Sequence, residues 1–262
     1  VSRYLRLLAI QIKASALLSL QYRVDFAFQV VMALFWTATA LVPLWVLFSM
    51  REGVAGWSRY EALLVAGFFI ALKGVLQGVI QPALTNVVEH IRKGTLDFLL
   101  LKPVDTQFLL STSKLDLAHG TDVLAGLGII VWAVDKTGRQ PSFLEVFLAA
   151  GIVLCAVAIL YAIWILVVSL AFKVVKIDNL SYLIVSTFDA ARWPSSVFRG
   201  ALSFVFTFVV PLALMTTYPA LALLGRLKVS QAGTSVAVAA AFLIGSRLVW
   251  LRSVRSYTGA GG

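Results

Sequence analysis

Along most of this chain, apolar residues run for twenty or more positions at a time, with only short polar punctuation between the runs. A helix needs about 20 mostly apolar residues to cross a bilayer. The runs therefore predict spans at 26–50, 61–87, 117–134, 143–170 and 235–251. REGVAGWSRY joins the first two as a short polar loop whose Trp57 and Tyr60 suit a membrane interface. DKTGRQPS joins the third and fourth, with Gly138 and Pro141 marking a turn. Ahead of the first span, Leu5, Leu8, Ile12, Leu17 and Leu20 recur at roughly helical spacing among Arg3, Arg6 and Lys13. That pattern predicts an amphipathic helix lying in the interface over 1–23; a polar extension of the first span is the other reading. No small-residue cleavage site follows an apolar core there, so the stretch does not read as a signal peptide.

Residues 178–225 are harder to place. LSYLIVSTF and ALSFVFTFVVPLALMTTYPALALL are two apolar stretches separated by DAARWPSSVFRG. Basic residues collect at Arg3, Arg6, Lys13 and Arg23, at Arg92, Lys93, Lys102 and Lys114, at Lys173 and Lys176, and at Arg247, Arg252 and Arg255. The positive-inside rule gathers these segments in the cytoplasm, so both termini are inside and the number of full crossings is even. Two arrangements comply. Either 178–192 is a short fifth span and 201–224 dips in and returns, or the first stretch lies on the cytoplasmic surface and the second crosses. Pro194, Pro211 and Pro219 interrupt the region, and irregular backbone at membrane depth persists only where it is packed in protein or lines a cavity.

Composition narrows the class. At 60% hydrophobic and 13% charged over 262 residues, with a mean hydropathy of +0.93, the chain carries more apolar surface than a soluble domain can bury. It reads as one all-α polytopic membrane domain, 1–262, with no room for a separate catalytic domain. The net charge of +10 follows from the inside bias and identifies no substrate; membrane lipid is an expected partner and nucleic acid is not. The single Cys155, inside GIVLCAVAIL, offers no disulfide framework. Val1, where initiation gives Met, is what a GTG start read literally would leave, and suggests a bacterial gene; a trimmed chain would read the same.

HIRKGTLDFLLLKPVDTQFL breaks the apolar rhythm. Thr95 can cap a helix starting at Leu96, Asp97 then sits in the positive first turn, Lys102 sits at the negative end, and Pro103 stops it. This predicts a foot of about two turns with Leu96, Leu99 and Leu100 on one face and Phe98 as an exposed aromatic. A helical linker resting on lipid would show the same pattern. Asp105 or Thr106 can cap the next helix.

Together with RWPSSVFRG, FVVPLALMTTYPALALLG and the closing WLRSVRSYTGAG, GTLDFLLLKPV resembles the permease subunits of type-2 ABC exporters, the ABC-2 family transporter proteins. The resemblance runs in order over essentially the whole chain. It implies six transmembrane helices, a permease dimer whose second member is identical or paralogous, and two cytoplasmic ATPase subunits that grip a coupling helix, here 95–103. It also implies a re-entrant exit-side segment, 193–224, marked by Trp193, Pro194, Pro211 and Pro219, which favours the first of the two arrangements. The location implied is the cytoplasmic membrane. The chain contains no G-x-x-x-x-G-K-[ST] loop, so it is expected to be no enzyme and to hold no cofactor, with ATP and Mg bound by the partner ATPase.

Within the spans, Lys73 sits near the middle of the second, where a charge costs from about 2.5 kcal/mol upward. Gln77 and Gln81 follow at four-residue steps, predicting a polar stripe that lines a translocation path or a dimer contact; a snorkelling lysine is the plain alternative. Glycines 74 and 78 allow close helix approach beside it. Asp116, His119 and Asp122 fall on one broad face at the start of the third span, where a third strong ligand at helical spacing is missing for a metal. Asp189 with Arg192, and Asp25 with Arg23 or Lys13, read as structural pairs. No hydrolase signature is present. The rival functions are an ion-coupled carrier titrating Lys73 and Asp122, or a scaffold that moves nothing.

Overall fold

In the computed structural model, residues 2–50, 53–172, 185–198 and 211–257 are described. Helix α1, Ser2–Gln21, gives way at Tyr22 to α2, Arg23–Met50. A two-residue hairpin, β1 Gly53–Val54 with β2 Trp57–Ser58, turns through Ala55 and Gly56, both at positive φ. Ser58 and Glu61 then close a capping box on α3, Arg59–Val75.

The second apolar run does not stop where its hydropathy fades. A π turn at Leu76–Ile80 links α3 to α4, Gln81–Arg92, making one apolar helix of 34 residues, about 50 Å long at 1.5 Å per residue. Pro82 supplies the reason for the π turn: it has no N–H to donate, and its ring crowds the carbonyl four residues back, at Gly78. That carbonyl accepts the Asp116 N–H instead, at 2.8 Å.

Beyond α4 come two short helices, α5 Asp97–Leu100 and α6 Thr106–Ser111, and a 3₁₀ turn at Leu117–His119. Long helices follow, α7 Gly120–Lys136 and α8 Phe143–Ala171. Then come 3₁₀ turns at Asp189–Arg192 and Ser195–Val197, a second π turn at Ala213–Thr217 leading into α9, Tyr218–Leu223, and finally α10, Val229–Arg255. Pro219 stands to this second π turn as Pro82 stands to the first. Among the described residues five helices are long and apolar enough to cross a membrane: α2, the α3–α4 helix, α7 from Leu117, α8 and α10. The fold is all-α and polytopic. Both the second span and the last are longer than the apolar pattern alone suggests, since capped polar turns extend them at each end. The candidate fifth span, 178–192, falls partly on 173–184, outside the described residues.

The bundle has two ends. One carries the hairpin, the 137–142 turn and 224–228; here Glu61, 8% exposed, pairs with Arg226 at 2.6 Å, and Arg139 reaches both Glu145 and the Leu224 carbonyl. The other carries α1, α5, α6 and the close of α8 and α10, where Phe172 packs edge-on against Trp250 and Tyr257. Helix α1 is strapped to this end: Tyr4 packs on Phe108, Gln11 donates to the Leu109 carbonyl, and Ser15 accepts the Leu115 N–H. Asp25 accepts from Gln29, where the sequence suggests Arg23 or Lys13.

At the centre the backbones of α3 and α7 come close at their glycines. A Cβ on Gly126 would stand 2.5 Å from the Ala71 nitrogen, and one on Gly67 would stand 3.1 Å from the Gly126 carbonyl. Small residues at such contacts are what allow backbones to approach in a membrane.

Candidate functional site

Lys73 lies about 20 Å down α3 from Arg59, within the roughly 30 Å of hydrocarbon a bilayer provides. It faces a cleft of about 440 Å³ walled by Trp36 and Met32 of α2 on one side and by Gln77, Asp116, His119 and Asp122 on the other. Among the described residues its ammonium makes no hydrogen bond or ion pair. A second cleft, of about 380 Å³, adjoins the first and shares Gln77, Asp116 and His119 with it, continuing past Gln81 and Asn86 to Glu89 and Lys114. Lys73 and Gln81 therefore belong to different clefts, and of the three stripe residues Gln77 alone lines both. The π turn falls between Lys73 and Gln81. The two clefts form one polar trough along the α3–α4 helix, ending at the α1 end of the bundle.

The trough is held open by buried polar contacts and tight backbone approach. Asp122, 4% exposed, accepts from Thr37 at 2.7 Å and lies 2.9 Å from His119 Nδ1. Asp116 caps the Leu117–His119 turn through the Ala118 N–H. Glycines 74 and 78 sit where Cβ atoms would stand 2.9 Å from the His119 carbonyl and 3.0 Å from the Asp116 carbonyl, the close approach the sequence suggests. Asp189, on the rim, pairs with Arg192 at 3.4 Å. No group of three or more metal-binding side chains occurs among the described residues.

Thr37 is a trough residue that sequence reasoning missed. A threonine in an apolar span ordinarily bonds its own backbone, as Thr39 does to the Phe35 carbonyl, and nothing local marks Thr37 as different.

At the α1 end, Gly94 at φ 65 reverses the chain after α4. The Thr95 N–H bonds the His90 carbonyl and the Thr95 hydroxyl meets His90 Nδ1 at 2.8 Å. Thr95 is therefore not the expected cap: helix α5 starts at Asp97, with Leu96 at the cap position, and makes a single turn. Leu96 is fully buried, Leu99 and Leu100 pack on the core, and Phe98 and Leu101 stand out at 72% and 82% exposed. Lys102 and Pro103 carry the chain on to Asp105, which caps α6 through the Phe108 N–H. Tyr257 lies close enough to Asp97 that, after burial itself, the Asp97 charge raises its phenol pKa.

A second polar knot sits beside the foot. Arg247 of α10 donates to both carboxylate oxygens of Asp105 and, at 2.6 Å, to Gln107. Gln107 and Ser111 both bond the Tyr161 hydroxyl of α8. Burial pushes the Asp105 carboxyl up, but the bond from Arg247 and the Phe108 N–H outweigh it and hold the group below its ordinary value.

Toward the hairpin end, Trp193 packs on the core formed by Leu44, Trp57 and Phe68. Pro194 separates the two 3₁₀ turns, Ser196 accepts from the buried Trp57 indole at 3.1 Å, and Thr217 accepts the Ser195 N–H. Pro211 and Pro219 are buried, as is nearly all of 211–224. The rest of the proposed 193–224 segment, 199–210, lies outside the described residues.

Comparison with curated proteins and with solved structures gave no match. The family described as ABC-2 family transporter protein matches residues 34–261, a stretch that takes in the trough, the foot and the proline-rich segment. Such a permease is the transmembrane component of an ABC transporter, and membership implies association with an ATP-binding subunit. A multi-pass, all-α membrane chain with this match over most of its length belongs to the ABC-2 transporter family.

Proposed function

We propose that this permease is half of a dimeric ABC exporter in the cytoplasmic membrane, with both termini inside. The partner half is an identical or paralogous permease, and two cytoplasmic ATPases drive alternating access. The observation that carries the reading is the trough. It runs from Lys73 at bilayer depth to Glu89 and Lys114 at the end of the bundle where α5 projects Phe98 and Leu101. A substrate entering there meets polar groups on one wall and Trp36 and Met32 on the other. The exposed pair on α5, backed by buried Leu96, is shaped to fill a groove in an ATPase; ATP and Mg bind that partner and not this chain.

The segment 193–224 is the re-entrant exit-side element. In support, Ala171 lies at the α1 end, Ser196 is at the hairpin end against Trp57 and Ala55, and 211–224 is held in the same half by Thr217 and Arg139. Both described parts of the segment, 193–198 and 211–224, therefore bear on the hairpin end, as expected of an element that enters and leaves the membrane on one side.

The test is to purify the tagged permease from its native membrane and identify what accompanies it. An ABC ATPase and a second permease copy are expected, with ATP-dependent uptake into inside-out vesicles. Transport that persists in the absence of any ATPase would make the chain an ion-coupled carrier, and an assembly without transport would make it a scaffold.

A further inference from the structure

On the outside of the bundle a groove of about 700 Å³ lies between α6, α8 and α10, closed at its back by Val75 and Ile80. Its two ends differ in chemistry. One wall consists of Leu154, Val157, Ala158 and Leu243, and the other end is the knot of Arg247, Gln107 and Tyr161. Height matters as much as composition. Arg247 and Tyr161 are each about 27 Å along their helices from the hairpin end, whereas Leu154 is about 17 Å along. With about 30 Å of hydrocarbon between the two surfaces, the polar end sits at the headgroup boundary and the apolar wall sits in the acyl region of the same leaflet. The side chains thus repeat the amphipathic order of a lipid in that leaflet.

The arginine calls for a phosphate. Its Nη1 is used twice, by Asp105 and Gln107, and its Nη2 once, by Asp105. The guanidinium has five N–H donors, so the Nε N–H and the second Nη2 N–H remain without a partner among the described residues. These two lie side by side on one edge of the plane, the arrangement that grips a phosphate through two parallel bonds. The side chain is 40% exposed and lines the groove. Asp105 does not occupy that edge; it fixes the guanidinium from the other side.

We propose that this groove binds one phospholipid from the leaflet at the α1 end. Its phosphate lies on the free edge of Arg247 and the upper part of one acyl chain lies along Leu154, Ala158 and Leu243. Because α6 follows directly on the foot, the lipid would brace the joint between α5 and the bundle. The site depends on the chain spanning a membrane and not on what it transports.

The experiment is native mass spectrometry of the delipidated, detergent-purified permease, titrated with phosphatidylglycerol or with diacylglycerol of the same acyl chains, which lacks the phosphate. One phosphatidylglycerol per chain is expected, retained at least fivefold better than diacylglycerol. Ala158→Trp, which fills the tail groove and leaves the Asp105–Arg247 pair intact, should lose at least tenfold in retention, and so should Arg247→Gln. Arg247→Lys keeps the charge without the two-donor edge and should fall between them and the parent. Equal retention of the two lipids by the parent chain would overturn the proposal, as would unchanged phosphatidylglycerol retention in Ala158→Trp. Displacement of the lipid by glycerol phosphate alone would place the ligand in water and overturn the lipid assignment.

Discussion

Helix α2 and the α3–α4 helix are equally apolar, each with a mean hydropathy of 2.1 over its most apolar stretch, yet only 11% of that stretch is buried in α2 against 67% in α3–α4. Hydropathy decides that a helix enters a bilayer. It does not decide what the helix packs on, because lipid tails are as apolar as leucine and give helices no hydrophobic reason to associate. The difference lies in shape and hydrogen bonding. Helix α3 brings Gly67 and Gly74 to a backbone contact with α7, while α2 turns Phe28, Phe35 and Trp45 outward. Helix α2 holds to α7 through Thr37 and to the hairpin-end core through Leu44 and Phe48. The trough opens between these two unequal partners, where a loosely held wall faces a fixed one.

Filling the tight contact should break the comparison outright. Gly126→Leu puts side-chain atoms where a bare Cβ already stands 2.5 Å from a backbone nitrogen and 2.7 Å from a carbonyl, and neither can move aside. Overpacking ordinarily costs about 1–3 kcal/mol; with two backbone atoms of α3 as the nearest neighbours, the top of that range, about 3 kcal/mol, is expected. On bare α2, Leu34→Ala should stay within about 0.5 kcal/mol. Thermal unfolding of the two variants in one detergent makes the measurement, and comparable losses would mean that α2 is packed as tightly as α3.

Exposure has a second meaning on α5. Bulky apolar side chains outside the bundle are ordinary on α2, a helix apolar enough to span the membrane, but Phe98 projects from a one-turn helix between polar turns. Phe98→Ala should leave thermal stability unchanged and weaken ATPase pull-down by about 2 kcal/mol, or tens of fold. Leu96→Ala, at a fully buried position, should do the reverse and cost about 2 kcal/mol or more of stability. If Phe98→Ala binds the ATPase as well as the parent does, α5 is a linker resting on lipid.

These two regions also mark how far the sequence can be read. The long spans were legible because twenty apolar residues in a row have few other uses, and the foot was legible because Gly94 and Pro103 bracket it. The start of α5 was not. Thr95 has the right side chain for a cap, but the turn after α4 delivers its hydroxyl to His90 first. The π turns were also hidden, since a proline acts on a carbonyl four residues earlier and the stripe Lys73, Gln77, Gln81 was laid out on an ideal helix. Asp122 was visible as a charge near a span, but its partner Thr37 is distant in sequence. Asp105 was visible as a cap, and nothing local announced Arg247.

Thr37 offers the finest cut at α2 itself. Thr37→Val keeps the shape and removes the 2.7 Å bond to Asp122, leaving the buried carboxylate with His119 alone. Hydrogen bonds between membrane helices average about 0.6 kcal/mol, and bonds to charged groups run higher, so about 1 kcal/mol is expected. Cysteine pairs across the α2–α7 contact should crosslink more slowly in this variant. Crosslinking at the parent rate would show that Leu44 and Phe48 alone hold α2 in place.

The smallest effect concerns α10, which is nearly as bare as α2 at 22% of its apolar stretch but is pinned near its end by Arg247 on Asp105. The folded chain holds the Asp105 carboxyl below its ordinary value, because the bonds from Arg247 and from the Phe108 N–H outweigh burial. A lowered carboxyl favours the fold at any pH above its unfolded value, near about 3.9, and that contribution disappears as pH falls through the lower, folded value. The melting temperature of the parent should therefore exceed that of Arg247→Gln by a constant margin from pH 8 down to about 5, and the two curves should converge below about pH 4. Both side chains are more than a third exposed to solvent, so the margin is modest and should shrink in high salt. A margin that stayed constant through pH 3 would mean that Arg247 holds α10 through Gln107 and, beyond it, Tyr161, and not through the carboxylate.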